Sequence, residues 1–153
     1  MSADIKEIKS GEGLGVINFG MQRDAVRMLL GEPSEIEEYS YSGEGNDDLT
    51  ESWHYDDLEV SLNFDKEDDW KLAIISITSN DHTLNGFQPI GMSKDALVTE
   101  LEKLDVEDLE LDDVSTKDSP QHEVLSSESL GINFWFDADN LTEVQWAPLY
   151  EED

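Results

Sequence analysis

Histidines and carboxylates are the residues of this chain that could carry chemistry. His54, His82 and His122 are the three histidines, and none stands at a His-x-x-x-His or comparable ligand spacing, so no zinc site is expected. His122 beside Glu123 offers a base next to an acid, but a histidine at a strand edge accounts for the pair without catalysis. Acids number 38, so some pair always mimics a glycosidase dyad and pairing alone is uninformative. Residues 65–69 and 137–140 have the composition of calcium loops. Neither has the glycine and terminal Glu spacing of an EF-hand, and hairpin turns select Asp and Asn on conformational grounds. Gly11, Gly13 and Gly15 are not followed by Lys-Ser/Thr, and no Gly-x-Ser-x-Gly elbow or dinucleotide fingerprint is present. There is no cysteine, which removes disulfides, thiolate nucleophiles and Cys-based zinc sites. No catalytic residue, cofactor or metal is therefore expected, and the chain reads as a binding protein and not an enzyme.

Charge says what it would bind. The formal net charge is −29, from 38 acids against nine Lys and Arg. Such a charge repels nucleic acid and anionic membranes and steers cationic surfaces inward. The acids are uneven: residues 32–69 hold a long series with one base, Lys66, whereas residues 73–85 hold almost none. That concentration favours a basic protein partner over a general adaptation to high salt or a solvated face without a partner. No apolar run suggests a signal peptide or a membrane span, so a cytoplasmic chain is expected.

The elements that would position a binding surface recur. Residues 19–33 read as a short helix with Ala25, Val26, Leu29 and Leu30 on its buried side, Gly31 beyond its end and Pro33 as a stop. Gly-Met-x-x-Asp-Ala returns at Gly91 and Met92, followed by a helix with Leu97, Leu101 and Leu104, capped by Ser93. Strands are expected from Glu35, Thr50, Leu58 and Leu72, and again from Leu109, His122, Leu130 and Leu141. Leu58, Val60, Leu62 and Phe64 alternate inward, and Leu130, Ile132, Phe134 and Phe136 match them position by position. The expected fold is α+β: a tandem repeat of two two-layer units, each a helix packed on an antiparallel sheet of about four strands. Residues 1–12 would be a loose leader or an edge segment, 13–81 the first repeat, 82–150 the second and 151–153 an acidic tail.

Gly20, Met21, Val26, Leu29, Leu30, Gly31 and Pro33, followed by a meander, resemble the beta-lactamase-inhibitor-protein-like fold. The second copy keeps Gly91, Met92, Leu97 and Leu101. The same helix signature is similar to that of small lipoproteins of the barrel-assembly machinery. The resemblance implies a concave sheet surface that grips another protein. In general character the chain is also similar to acidic bacterial immunity proteins that neutralise nuclease toxins. Alternation sends Trp135 to the open face of its sheet, the alternative being that it packs in the seam between repeats. An aromatic among carboxylates suits a hot spot for Arg or Lys. The partner-binding residues expected are Glu37, Tyr39, Tyr41, Asp56, Asp57, Glu59, Trp135 and Glu143. The favoured function is an immunity or inhibitor protein that occludes the active site of a basic toxin. A DNA mimic or a halophilic housekeeping protein is the alternative.

Overall fold

Alternating apolar residues form strands wherever one face can be buried, and the way those strands join is the main feature of this fold. The computed structural model describes residues 5–40, 49–66, 69–118 and 120–148. In chain order the elements are β1 (Ile8–Lys9), β2 (Gly13–Leu14), β3 (Ile17–Asn18), α1 (Arg23–Leu30), β4 (Glu35–Ser40), β5 (Leu49–Tyr55), β6 (Val60–Asp65) and β7 (Lys71–Ile77). They continue with α2 (Lys94–Lys103), β8 (Leu109–Asp113), β9 (His122–Ser127), β10 (Ile132–Asp137) and β11 (Asn140–Trp146).

Strands β4 to β11 form one antiparallel sheet in the order β4-β5-β6-β7-β11-β10-β9-β8, and β1 to β3 form a small second sheet. The expected tandem of helix-on-sheet units is therefore overturned: the described residues are mostly β, 45% strand and 15% helix, with one eight-stranded and one three-stranded sheet. The joint is β7 on β11, with Ile77 opposite Val144, Ser76 opposite Gln145 and Ile75 opposite Trp146. Two separate meanders would each leave an apolar strand with an unpaired backbone edge. Joining those edges satisfies the amides and buries the apolar pairs. The strands left at the edges, β4 and β8, carry Glu35, Glu37 and Glu38 and Glu110, Asp112 and Asp113, which oppose further strand addition.

One face of the sheet holds the core. Val60, Leu62 and Phe64 of β6 and Ile132, Phe134 and Phe136 of β10 are buried as alternation predicts. They pack in one cluster with Val26 of α1, Leu97 and Leu101 of α2, and Ile8, Leu14 and Ile17 of the small sheet. Within the segment expected as a loose leader or an edge segment, Ile5 and Ile8 are 7% and 2% exposed, so its described residues are anchored to the core. The small sheet is tied to the large one where Trp146 Nε1 donates to Gly13 O at 3.1 Å. Gly13 sits at φ 152, and a Cβ there would fall 1.9 Å from Ile17 O, so no side chain fits.

Helix α1 departs from the sequence reading. Val26 is its one buried residue, while Leu29 is 41% exposed and Met28 88%. The stripe facing the sheet is Arg23, Val26, Arg27 and Leu30, an i, i+3, i+4, i+7 set. Arg23 lies 4.3 Å over the Trp70 ring and Arg27 4.8 Å over Trp53, so guanidinium stacking replaces aliphatic packing. Helix α2 keeps the expected cap, Ser93 Oγ accepting from Ala96 N at 3.3 Å. No helix among the described residues is long and apolar enough to cross a membrane.

The link between β7 and α2 buries an ionisable group. His82 is 3% exposed, with Nδ1 3.2 Å from Ser79 O. Burial lowers its pKa, against the opposing pull of the Ser79 carbonyl, Asp81 and Glu59. Because the folded value is depressed, the stabilisation is present above the unfolded value near 6.5 and is lost as pH falls through the folded one. His82→Gln should therefore flatten the dependence of Tm on pH below about 6.5 relative to the unsubstituted protein. Parallel slopes for the two proteins in thermal melts between pH 7 and pH 5 would refute this.

Candidate functional site

Among the described residues, no helix or second sheet packs on the other face of the sheet, and its residues explain why. Following the register across all eight strands gives one row: Glu35, His54, Ser61, Ser76, Gln145, Asn133, Ser126 and Glu110. Every member is polar or charged, and those toward the middle are short. A row of this kind cannot bury an apolar layer, so it remains available to a partner with polar groups. Cross-strand hydrogen bonds hold it in place, Ser126 to Asn133 Oδ1 at 2.8 Å and Ser52 to Asn63 Oδ1.

A cavity of about 430 Å³ opens on this face over β5, β6 and β7. Ser52, His54, Ser61, Asn63, Ser76 and Thr78 form its polar lining, and Asp56, Glu59 and Glu143 supply three carboxylates. Lys and Arg are absent from the lining. Asp56 and Glu59 reach it from the β5–β6 turn, which is fixed by Leu58 N on Tyr55 O at 3.1 Å and Glu59 N on Asp56 O at 3.3 Å. Glu59 takes the left-handed conformation at φ 56, and its carbonyl accepts from Thr78 N at 3.1 Å, anchoring the turn to the end of β7. Arg23 and Arg27 are committed to the core face. Lys94 pairs with Glu123 at 2.7 Å, a hydrogen bond that raises the ammonium's pKa.

The expected partner-binding residues divide. Asp56, Glu59 and Glu143 line the cavity, and Glu37 stands beside it with Oε1 3.2 Å from His54 Nε2. Trp135 faces the same side, opposite Glu143 in register. Its ring stacks on His122, with centroids 5.6 Å apart and planes at 23°, and its Nε1 is shielded from solvent without a hydrogen-bond partner. The seam of the sheet is β7–β11, so Trp135 on β10 lies one strand away from it. Asp57 lines a smaller recess with Ser79 and His82. Tyr39 pairs with Thr50 in the backbone register, and Tyr41 lies outside the described residues.

His54, Ser52 and Ser76 were missed by sequence reasoning. The signal was there in β5: Trp53 and Tyr55 point inward, so Ser52 and His54 point to the open face. Among the described residues, no group of three His, Asp or Glu side chains is placed to hold a metal ion.

The chain matches no protein-family model and no curated protein sequence. Its fold is similar to the crystal structure of the uncharacterized protein YfeY from Escherichia coli, with a TM-score of 0.52 at 12% identity over 96% of this chain and 99% of that one. It is more distantly similar to an extracellular protein containing an SCP domain from Bacillus anthracis, with a TM-score of 0.46 and 14% identity. That match covers 84% of this chain and 43% of the other. The first likeness concerns the fold alone.

Proposed function

We propose that this is an acidic binding protein that captures a basic protein on the open face of its sheet. The most economical form of that reading is a cytoplasmic bacterial immunity or inhibitor protein that neutralises a nuclease-type toxin. The observation that carries it is the uncovered polar row with its cavity, where Asp56, Glu59 and Glu143 stand together without a basic residue in the lining. A Lys or Arg from the partner entering the cavity would exchange its hydration for charge-assisted hydrogen bonds. Trp135 would add aromatic area beside Glu143, the combination found at binding hot spots. The net charge of −29 would steer a cationic enzyme toward this face, and the seated sheet would close off its substrate channel. The resemblance to the beta-lactamase-inhibitor-protein-like fold supports the same use of a sheet surface.

Coexpression with the product of the adjacent gene tests this reading. Protection of the host and a complex that weakens steeply between about 50 and 500 mM salt are expected. Asp56→Asn, Glu59→Asn and Glu143→Gln should each weaken the complex by about tenfold or more, Asn being chosen at 59 because it tolerates a positive φ. No complex, or one indifferent to both salt and these substitutions, would discard the proposal.

A further inference from the structure

The cavity also holds an array that the binding reading does not use. Ser61 Oγ lies 2.8 Å from His54 Nδ1, and His54 Nε2 lies 3.2 Å from Glu37 Oε1. Three neighbouring strands supply the three groups. His54 of β5 is directly opposite Ser61 of β6, and Glu37 of β4 lies two residues along from Glu35, the residue opposite His54. A hydroxyl, an imidazole and a carboxylate in this order are nucleophile, base and orienting group, an arrangement defined by geometry and not by position in the chain. His54 and Ser61 both line the cavity of about 430 Å³, so a small molecule has room to reach the hydroxyl. We propose that Ser61 is a nucleophile, activated by His54, toward small acyl esters that enter this cavity.

The step balances with water as the only co-reactant. Ser61 Oγ bonds to the ester carbonyl carbon while its proton passes to His54 Nδ1. The ester C–O bond breaks, and the leaving alcohol takes that proton. Water then attacks the acyl-serine with His54 again as base, releasing the carboxylic acid and restoring the hydroxyl. Glu37 touches no reacting atom and is a positioning residue, selecting the tautomer with the proton on Nε2. Its oxygen is within ion-pair range of Nε2 but off the hydrogen-bond direction, so Nε2 has no hydrogen-bond partner. Such contacts tighten when substrate binds. The ladder occupies the strand amides, so Asn63 and Ser76, the latter opposite Ser61, are the donors available to the developing oxyanion. Side-chain donors are less preorganised than fixed amides, so the covalent adduct, not rapid turnover, is the proper readout.

A fluorophosphonate probe incubated with the full chain at pH 8, read by intact mass and peptide mapping, tests the proposal. One adduct at Ser61 is expected, absent in Ser61→Ala, formed at least about tenfold more slowly in His54→Gln, and altered in its pH–rate profile by Glu37→Gln. Because the chain has no cysteine, Ser61→Cys creates a single thiol. Its alkylation by iodoacetamide should slow when His54→Gln is added, a measurement that survives should either serine variant label poorly. An unlabelled wild-type protein, or an alkylation rate of the Ser61→Cys variant unchanged by adding His54→Gln, overturns the assignment. Labelling at Ser61 requires no basic partner, and a salt-sensitive complex requires no reactive serine, so the two proposals fail separately.

Discussion

Raising NaCl from about 0.01 M to about 1 M should raise the melting temperature by on the order of 10 °C, since the Debye length falls from about 30 Å to about 3 Å. With 38 acids and nine bases, at least 29 carboxylates have no basic side chain of their own. Folding forces that charge into a small volume, and the unfolded chain relieves it by expanding. Relief of a few kcal/mol by screening converts to this shift, because about 1 kcal/mol moves Tm by about 2–4 °C in a chain of this size. The partly buried Arg23–Glu51 and Lys94–Glu123 pairs, at 3.0 and 2.7 Å, are sheltered from salt and offset the effect only slightly. Scanning calorimetry across that range, repeated with choline chloride, provides the check. A Tm that stays level or falls would show that repulsion does not limit this fold.

Trp146→Ala should cost about 3–5 kcal/mol of unfolding free energy, a loss comparable to the whole stability of a marginal domain. Trp146 is 1% exposed and sits where three parts of the protein meet. It pairs with Ile75 across the central seam and with Ile132 on its other side. Its Nε1 reaches Gly13 O at 3.1 Å, the tie to the small sheet. Truncation leaves a cavity at the joint of the large sheet and removes the hydrogen bond to Gly13 O. A larger residue at position 13 cannot refill the space, because a Cβ there would meet Ile17 O. Denaturant titration followed by tryptophan fluorescence and circular dichroism should show the midpoint falling with one cooperative transition. A change under about 1 kcal/mol would mean that the seam does not depend on this residue.

The two helices mark a limit of pattern reading. Leucines at i and i+4 located the buried stripe of α2 correctly through Leu97 and Leu101. In α1 the same argument chose Leu29, which is 41% exposed, and overlooked Arg23 and Arg27. Arginine counts as polar in a periodicity argument, yet it packs well against an indole, and here Trp53 and Trp70 are set to receive it. The tryptophans come from distant parts of the chain, so no local window contains the information. The candidate site was legible by half for a related reason. Alternation put Glu59 and Trp135 outside the core, and charge pointed to Asp56 and Glu143. The contact of His54 with Ser61 and Glu37 requires knowing which strands are neighbours.

The sequence by itself determined the excess of acid, the absence of thiol chemistry, most of the strands, and the inward faces of β6 and β10, because these follow from composition and a two-residue period. Only the tertiary structure decided that the strands form one sheet. Unpaired backbone edges on β7 and β11 are satisfied by each other, a condition on hydrogen bonds that side-chain pattern does not encode. That same pairing aligned Glu35, His54, Ser61, Ser76, Gln145, Asn133, Ser126 and Glu110 into a single row. Scattered polar residues thereby became one uncovered surface, with a cavity on it.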